Sequence, residues 1–228
     1  MSERSTLGSF AIMRRFVQPR APFAAAAEPP AQCEFCSASL APQHRHLLEV
    51  ASREIFCVCQ PCSILFDKRE ASVGRYQLIL DRRLYLPDFR MSDLQWERLR
   101  IPVGLAFFFH STPVGRAVVY YPSPMGPTES LLQPAAWTDL MHDNLVLTTM
   151  TPDIEALLVN RSPRTAAAGA EHFLVPIDEC YRLVGLLRTR WRGLSGGEEV
   201  WHEIGRFFAS LKANCVISSI NRETGANS

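Results

Sequence analysis

Two cysteine pairs, Cys33-Glu34-Phe35-Cys36 and Cys59-Gln60-Pro61-Cys62, stand 22 residues apart near the start of a 228-residue chain. Two residues between cysteines let a tight turn aim both thiolates at one ion. Two such turns supply the four sulfurs of a tetrahedral site. The gap suits a β-hairpin that brings the turns together, so the spacing predicts a structural tetracysteine metal site in a small zinc-ribbon-like module. A module of this size buries too little apolar surface to fold unaided. A structural zinc ion contributes ~10 kcal/mol or more to such a fold.

The ligand set has competitors. In the run Cys57-Val58-Cys59, an extended backbone points Cys57 and Cys59 to the same side, so Cys57 competes for the fourth position or stands by as a fifth thiol. His44 and His46 lie in the intervening segment and are alternate ligands or donors to the ligands. Iron is the rival metal, because a rubredoxin-like site also uses two cysteine pairs. Ser37 and Ser63 stand where such redox sites usually carry glycine after the second cysteine, which favours Zn2+.

Seven cysteines in all, five of them between residues 33 and 62, fit a reducing compartment in which clustered thiols bind metal. Cys180 and Cys215 read as buried structural thiols on apolar helix faces. Lys plus Arg number 24 and Asp plus Glu 23. This near-neutral balance removes the simplest argument for nucleic-acid binding. No segment reaches the ~18 apolar residues of a membrane span, and Arg14, Arg15 and Arg20 are not followed by the apolar stretch of a secretory signal. The expectation is a cytoplasmic protein without membrane insertion.

Four regions are expected. Residues 1–31 form a flexible tail and proline-rich linker, in which Leu7, Phe10, Met13 and Val17 recur at the spacing of a short docking helix. Residues 32–68 form the metal-binding module, 69–216 an α+β domain, and 217–228 a second tail. Within the domain, Arg75 to Leu86, Val103 to His110, Val114 to Tyr121, Leu145 to Met150, Ile154 to Asn160 and His172 to Pro176 read as strands of a mostly antiparallel sheet. Ser111-Thr112-Pro113 joins a hairpin, and Pro134 to His142 reads as a short helix. A C-terminal helical hairpin closes the domain. Asp178 caps its first helix, which carries Ile177, Cys180, Tyr181, Val184, Leu187 and Trp191 on one face and stops at Gly193, with Leu194 folding back on it. Ser195-Gly196-Gly197-Glu198 reads as a capping box for the second, whose stripe is Val200, Trp201, Ile204, Phe207, Phe208 and Leu211.

Catalytic motifs are missing. Gly196-Gly197 lacks the rest of a phosphate-binding loop, and there is no nucleophile elbow, zinc-protease helix or dinucleotide turn. His110, His142, His172 and His202 are scattered. Arg182, Arg188, Arg190 and Arg192 read as a solvated face that complements the helix dipole, with an acidic protein partner or nucleic acid as the alternative. Tyr120 to Pro127 reads as a rigid exposed loop of the kind that serves partners, and strand termination explains it as well.

The runs CEFCSASLAPQHRHLLEVASREIFCVCQPCSILFD (Cys33–Asp67) and CYRLVGLLRTRWRGLSGGEEVWHEIGRFF (Cys180–Phe208) together resemble an uncharacterised bacterial family. Its members are typically encoded in gene clusters for nickel–iron uptake hydrogenases. The resemblance covers nearly the whole chain after the tail and carries over no catalytic residue. It implies an accessory role in hydrogenase assembly, maturation or organisation, with hydrogenase subunits or maturation factors as protein partners. The expected protein is therefore a non-enzymatic metal-binding accessory protein. A rubredoxin-like iron electron carrier and a zinc-ribbon nucleic-acid-binding regulator are the alternatives.

Overall fold

A computed structural model describes residues 31–66, 74–164, 169–193 and 195–218. The tail helix and linker expected in residues 1–30, and the contact expected of Leu194, lie outside the described residues. From Gln32 onward the chain belongs to one compact unit.

The fold is α+β. The strands are β1 (Arg45–Glu49), β2 (Ile55–Val58), β3 (Tyr76–Leu78), β4 (Leu84–Tyr85), β5 (Leu105–Ser111), β6 (Arg116–Ser123), β7 (Gly126–Ser130), β8 (Glu155–Asn160), β9 (Glu171–Pro176) and β10 (Val216–Ile217). The α-helices are α1 (Gln60–Leu65), α2 (Asp93–Glu97), α3 (Pro134–Asp143), α4 (Ile177–Arg190) and α5 (Gly197–Ala213), with a 3-10 helix at Leu145–Thr149. A three-stranded sheet runs β2-β1-β3, and a seven-stranded sheet runs β10-β4-β9-β8-β5-β6-β7. All pairs are antiparallel except β10 with β4. Among the described residues no helix is long and apolar enough to cross a membrane.

The large sheet is covered on both faces. This is why its central strands read as continuous apolar runs rather than alternating ones. Leu105, Phe107, Phe109, Leu158 and Phe173 face one core. Ala106, Phe108, Leu157, Val159 and Leu174 face the other. The first core is closed by the hairpin of α4 and α5, through Cys180, Leu183, Val184, Leu187, Val200, Ile204, Phe208 and Leu211. These are largely the stripes expected from helical periodicity. The second core is closed by Trp137 and Leu140 of α3 and by Val146 and Leu147 of the 3-10 helix.

Several local expectations are corrected. Arg75 to Leu86 is not one strand: β3 belongs to the small sheet and β4 to the large one. The charged triplet between them breaks the run, as Arg82 binds Glu155 at 2.7 Å and Arg83 binds Glu179 at 2.9 Å. Leu145 to Met150 is the 3-10 helix. Thr148 and Thr149 donate their hydroxyls to the carbonyls of Leu145 and Val146, and a short apolar run carries no period that separates helix from strand. Tyr120 to Pro127 is a hairpin, with β6 and β7 meeting at Ser123 and Gly126. Pro127 is tolerated because β7 is an edge strand, and Pro122 because β6 runs there past its pairing with β5, which ends at Tyr120.

The caps also differ. α4 starts at Ile177, so Asp178 lies in its first turn rather than before it. Gly196, at φ 86°, is the N-cap of α5, and no side chain caps that helix. A Cβ on Gly196 would sit 2.8 Å from Val200 Cγ1 and about 3 Å from the Trp191 ring, which explains a glycine there. The capping box that does form is at Ser92 and Gln95, at the start of α2. Gly193 adopts the expected left-handed conformation. Cys180 is fully buried, whereas Cys215 lies past the end of α5 and is half-buried.

The small sheet packs on the first core through alternation along β1. Leu47 faces its own core, while Leu48 joins the main one. The β1–β2 turn adds Arg53, which donates to Tyr120 Oη and to Ser111 Oγ and lies over the Phe109 and Tyr120 rings.

Candidate metal centre

Two different local structures carry the two cysteine pairs. Cys33 and Cys36 lie on a knuckle closed by Ser37 N–H donating to the Cys33 carbonyl (2.7 Å) and Cys33 N–H donating to the Ala38 carbonyl (2.8 Å). Ser37 occupies the left-handed region at φ 60°. Cys59 is the extended residue before α1, Pro61 sits in the first turn, and Cys62 follows on the same turn. Proline is tolerated there because its missing N–H is not needed to start a helix. The hairpin β1–β2 folds the knuckle back against this helix start.

The Sγ atoms of Cys33, Cys36, Cys59 and Cys62 all lie within 4.8 Å of one another. Cys36 and Cys59 are 3.5 Å apart. A disulfide needs about 2.05 Å. The edges of a tetrahedron with Zn–S bonds of about 2.3 Å measure about 3.8 Å. The four thiols can therefore hold one metal ion. Cys33 and Cys62 are buried, Cys59 is half-buried and Cys36 is exposed.

The close thiols perturb one another's ionisation. Burial raises Cys33, but backbone N–H donors from Cys59, Phe35 and Cys36 outweigh it and bring the thiol down to about 6. Burial, reinforced by the surrounding thiols, pushes Cys62 up to about 12. The Ala38 backbone lowers Cys36, but its contacts with Cys33 and Cys59 together outweigh this and leave it raised. Four close sulfurs cannot all ionise unaided; a dication held by Cys33, Cys36, Cys59 and Cys62 would displace the remaining protons.

A surrounding shell holds the knuckle in place. Phe35 packs edge-on against Tyr76 at 5.3 Å and tilted against Phe66 at 5.2 Å, and Phe56 packs against Tyr76 at 5.9 Å. Beneath lies a small core of Leu40, Leu47, Val58 and Leu78 with Cys33 and Cys62. Glu34, between the first two cysteines, clamps β2: its N–H donates to the Cys57 carbonyl and its carboxylate accepts from the Cys57 N–H.

Cys57, the expected competitor for the fourth position, falls in a different group, with His44 and His46. It pairs directly across from His46 in the β1–β2 register. His46 in turn reaches Asp178 on α4, with Nδ1 2.8 Å from Oδ2. No local pattern reveals Asp178 as a partner, since the two residues are 132 positions apart. His110, His142, His172 and His202 join neither group among the described residues. On α4, Arg182 pairs with Glu179 and Arg190 with Glu199, so part of the basic face is neutralised locally.

No curated protein and no solved structure matches the chain. A family profile matches residues 32–215, from the residue before the first metal-site cysteine to Cys215. The chain thus belongs to a family of unknown function, DUF5947.

Proposed function

We propose that the tetracysteine site holds Zn2+ as a structural staple and that the protein is a non-enzymatic accessory protein. In this reading it docks on a protein partner in the cytoplasm and aids the assembly, maturation or organisation of a nickel–iron hydrogenase. The observation behind the staple is the closed donor set: four thiols within 4.8 Å of one another leave no position for a substrate. The hydrogenase context rests on the resemblance carried by the Cys33–Asp67 and Cys180–Phe208 segments.

Two measurements test it. Metal analysis of protein made without added metal is expected to give zinc that Cys59→Ser loses from this site. Affinity capture of the tagged chain from native cells is expected to recover hydrogenase subunits or maturation factors. The rival is an iron electron carrier, favoured by the backbone N–H donors around Cys33, which also suit a redox thiolate. A coloured, iron-containing protein after anaerobic purification would establish the rival. Capture of no such partner would remove the hydrogenase role.

A further inference from the structure

We propose that His44, His46 and Cys57 form a second metal site, with two imidazoles, one thiolate and an open coordination position, for a late first-row divalent ion. It rests on residues outside the tetracysteine set.

One ring nitrogen of each histidine and Cys57 Sγ lie within 4.8 Å of one another. The backbone produces this arrangement. His46 and Cys57 are directly opposed across β1 and β2, and His44 lies two residues before His46, on the same side of an extended chain. The two imidazoles meet edge to face at 4.9 Å.

The tautomers are set for ligation. His44 Nδ1 is 3.0 Å from the Ala41 carbonyl. A carbonyl only accepts, so Nδ1 carries the proton and Nε2 presents a bare lone pair. That Nε2 is buried and has no hydrogen-bond partner among the described residues. A buried lone pair without a partner calls for an explanation, and a metal ion supplies one. His46 also has its Nδ1 engaged, facing Asp178 Oδ2 at 2.8 Å. A carboxylate behind a metal-binding histidine fixes the ring and raises its basicity.

Three protein ligands leave a fourth position, the pattern of exchangeable rather than structural sites. His44, His46 and Asp178 line a cleft of about 910 Å³ together with Leu40, Arg83 and Arg182. Cys57 does not line it, so the thiolate closes the back of the site and the histidines open it to the cleft. Two imidazoles and one thiolate suit Zn2+, Co2+ or Ni2+ and disfavour Mg2+ and Ca2+, which take oxygen ligands.

Reduced apo-protein titrated with Co2+ tests this, since thiolate-to-cobalt absorption reports ligation at both sites. Wild type is expected to take up two equivalents. Cys57→Ser and the double variant His44→Ala/His46→Ala are expected to take up one, with the tetracysteine absorption kept. Asp178→Asn leaves every ligand in place, and should weaken only the second equivalent by about 10–100-fold. Saturation of wild type at one equivalent, or two equivalents retained by Cys57→Ser, would overturn the proposal. The tetracysteine reading fails separately, if Cys59→Ser still takes up two equivalents.

Discussion

Stripping the metal should unfold the small sheet while leaving the large one standing. The small core has four aliphatic side chains, Leu40, Leu47, Val58 and Leu78. A structural zinc contributes about 10–16 kcal/mol to such modules, as much as the whole stability of many domains at about 5–15 kcal/mol. The large sheet has two cores of its own and does not depend on the ion for burial. It nevertheless loses its cover from Leu48 and Ile79, which are 2% and 5% exposed in the main core. Exposing two such side chains removes about 3–6 kcal/mol. At about 2–4 °C per kcal/mol for a chain of this size, its Tm should fall by roughly 6–24 °C. Hydrogen exchange read by mass spectrometry, with chelator and reductant present, checks this. Protection should vanish over Cys33–Leu65 and Tyr76–Leu78 and persist in β5, β8 and β9. Protection retained across β1 and β2 in verified metal-free protein would refute the staple. Simultaneous loss across β5, β8 and β9 would refute the independence of the large sheet.

Three further outcomes follow from buried groups. His172 stacks on Phe89 at 4.6 Å, and burial, with Arg161 adding repulsion, pushes it down to about 4. The unfolded chain takes up this proton near pH 6.5 and the folded one only near 4, so stability should fall across that window as pH falls, by up to about 3 kcal/mol. Urea midpoints measured from pH 7 to 4 should lose this part of their slope in His172→Gln. Arg82→Met should destabilise by about 3 kcal/mol in chemical denaturation, because it takes the cation from the Glu155 carboxylate, which is 1% exposed and keeps the Thr151 N–H as a donor; a loss below about 1 kcal/mol would mean the pair is dispensable. Gly104→Ala should be worse than neutral by more than about 1 kcal/mol. Its φ is +66° and the added Cβ would meet the Ser162 backbone at 3.0 Å, so an unchanged Tm would contradict that geometry.

Features whose partners lie nearby in the chain were readable from the sequence. The cysteine pairs predicted a clustered donor set, because each pair needs only its own turn. The stripes of α4 and α5 and the hairpin of β5 and β6 followed from periodicity and turn chemistry. Reading failed where a distant surface decided. Leu145 to Met150 had an apolar run that serves a strand or a helix equally, and the face under Phe108 and Leu157 settled it. Ser195 had the spacing of a capping box, but Gly196 takes the N-cap position of α5 in a left-handed conformation, where Trp191 and Val200 leave no room for a Cβ.

The opening cysteines show the same division. The sequence by itself determined that Cys33, Cys36, Cys59 and Cys62 could meet, because spacing along a short chain limits where sulfurs can go. Only the tertiary structure separated Cys57 from Cys59. Strand pairing places Cys57 opposite His46, while Cys59 leaves the strand to start α1. The tertiary structure alone brought Asp178 behind His46, since packing α4 beside β1 spans 132 positions that no local pattern encodes. Local sequence sets which groups are available; the choice among them belongs to side chains that become neighbours only when the sheets and helices pack.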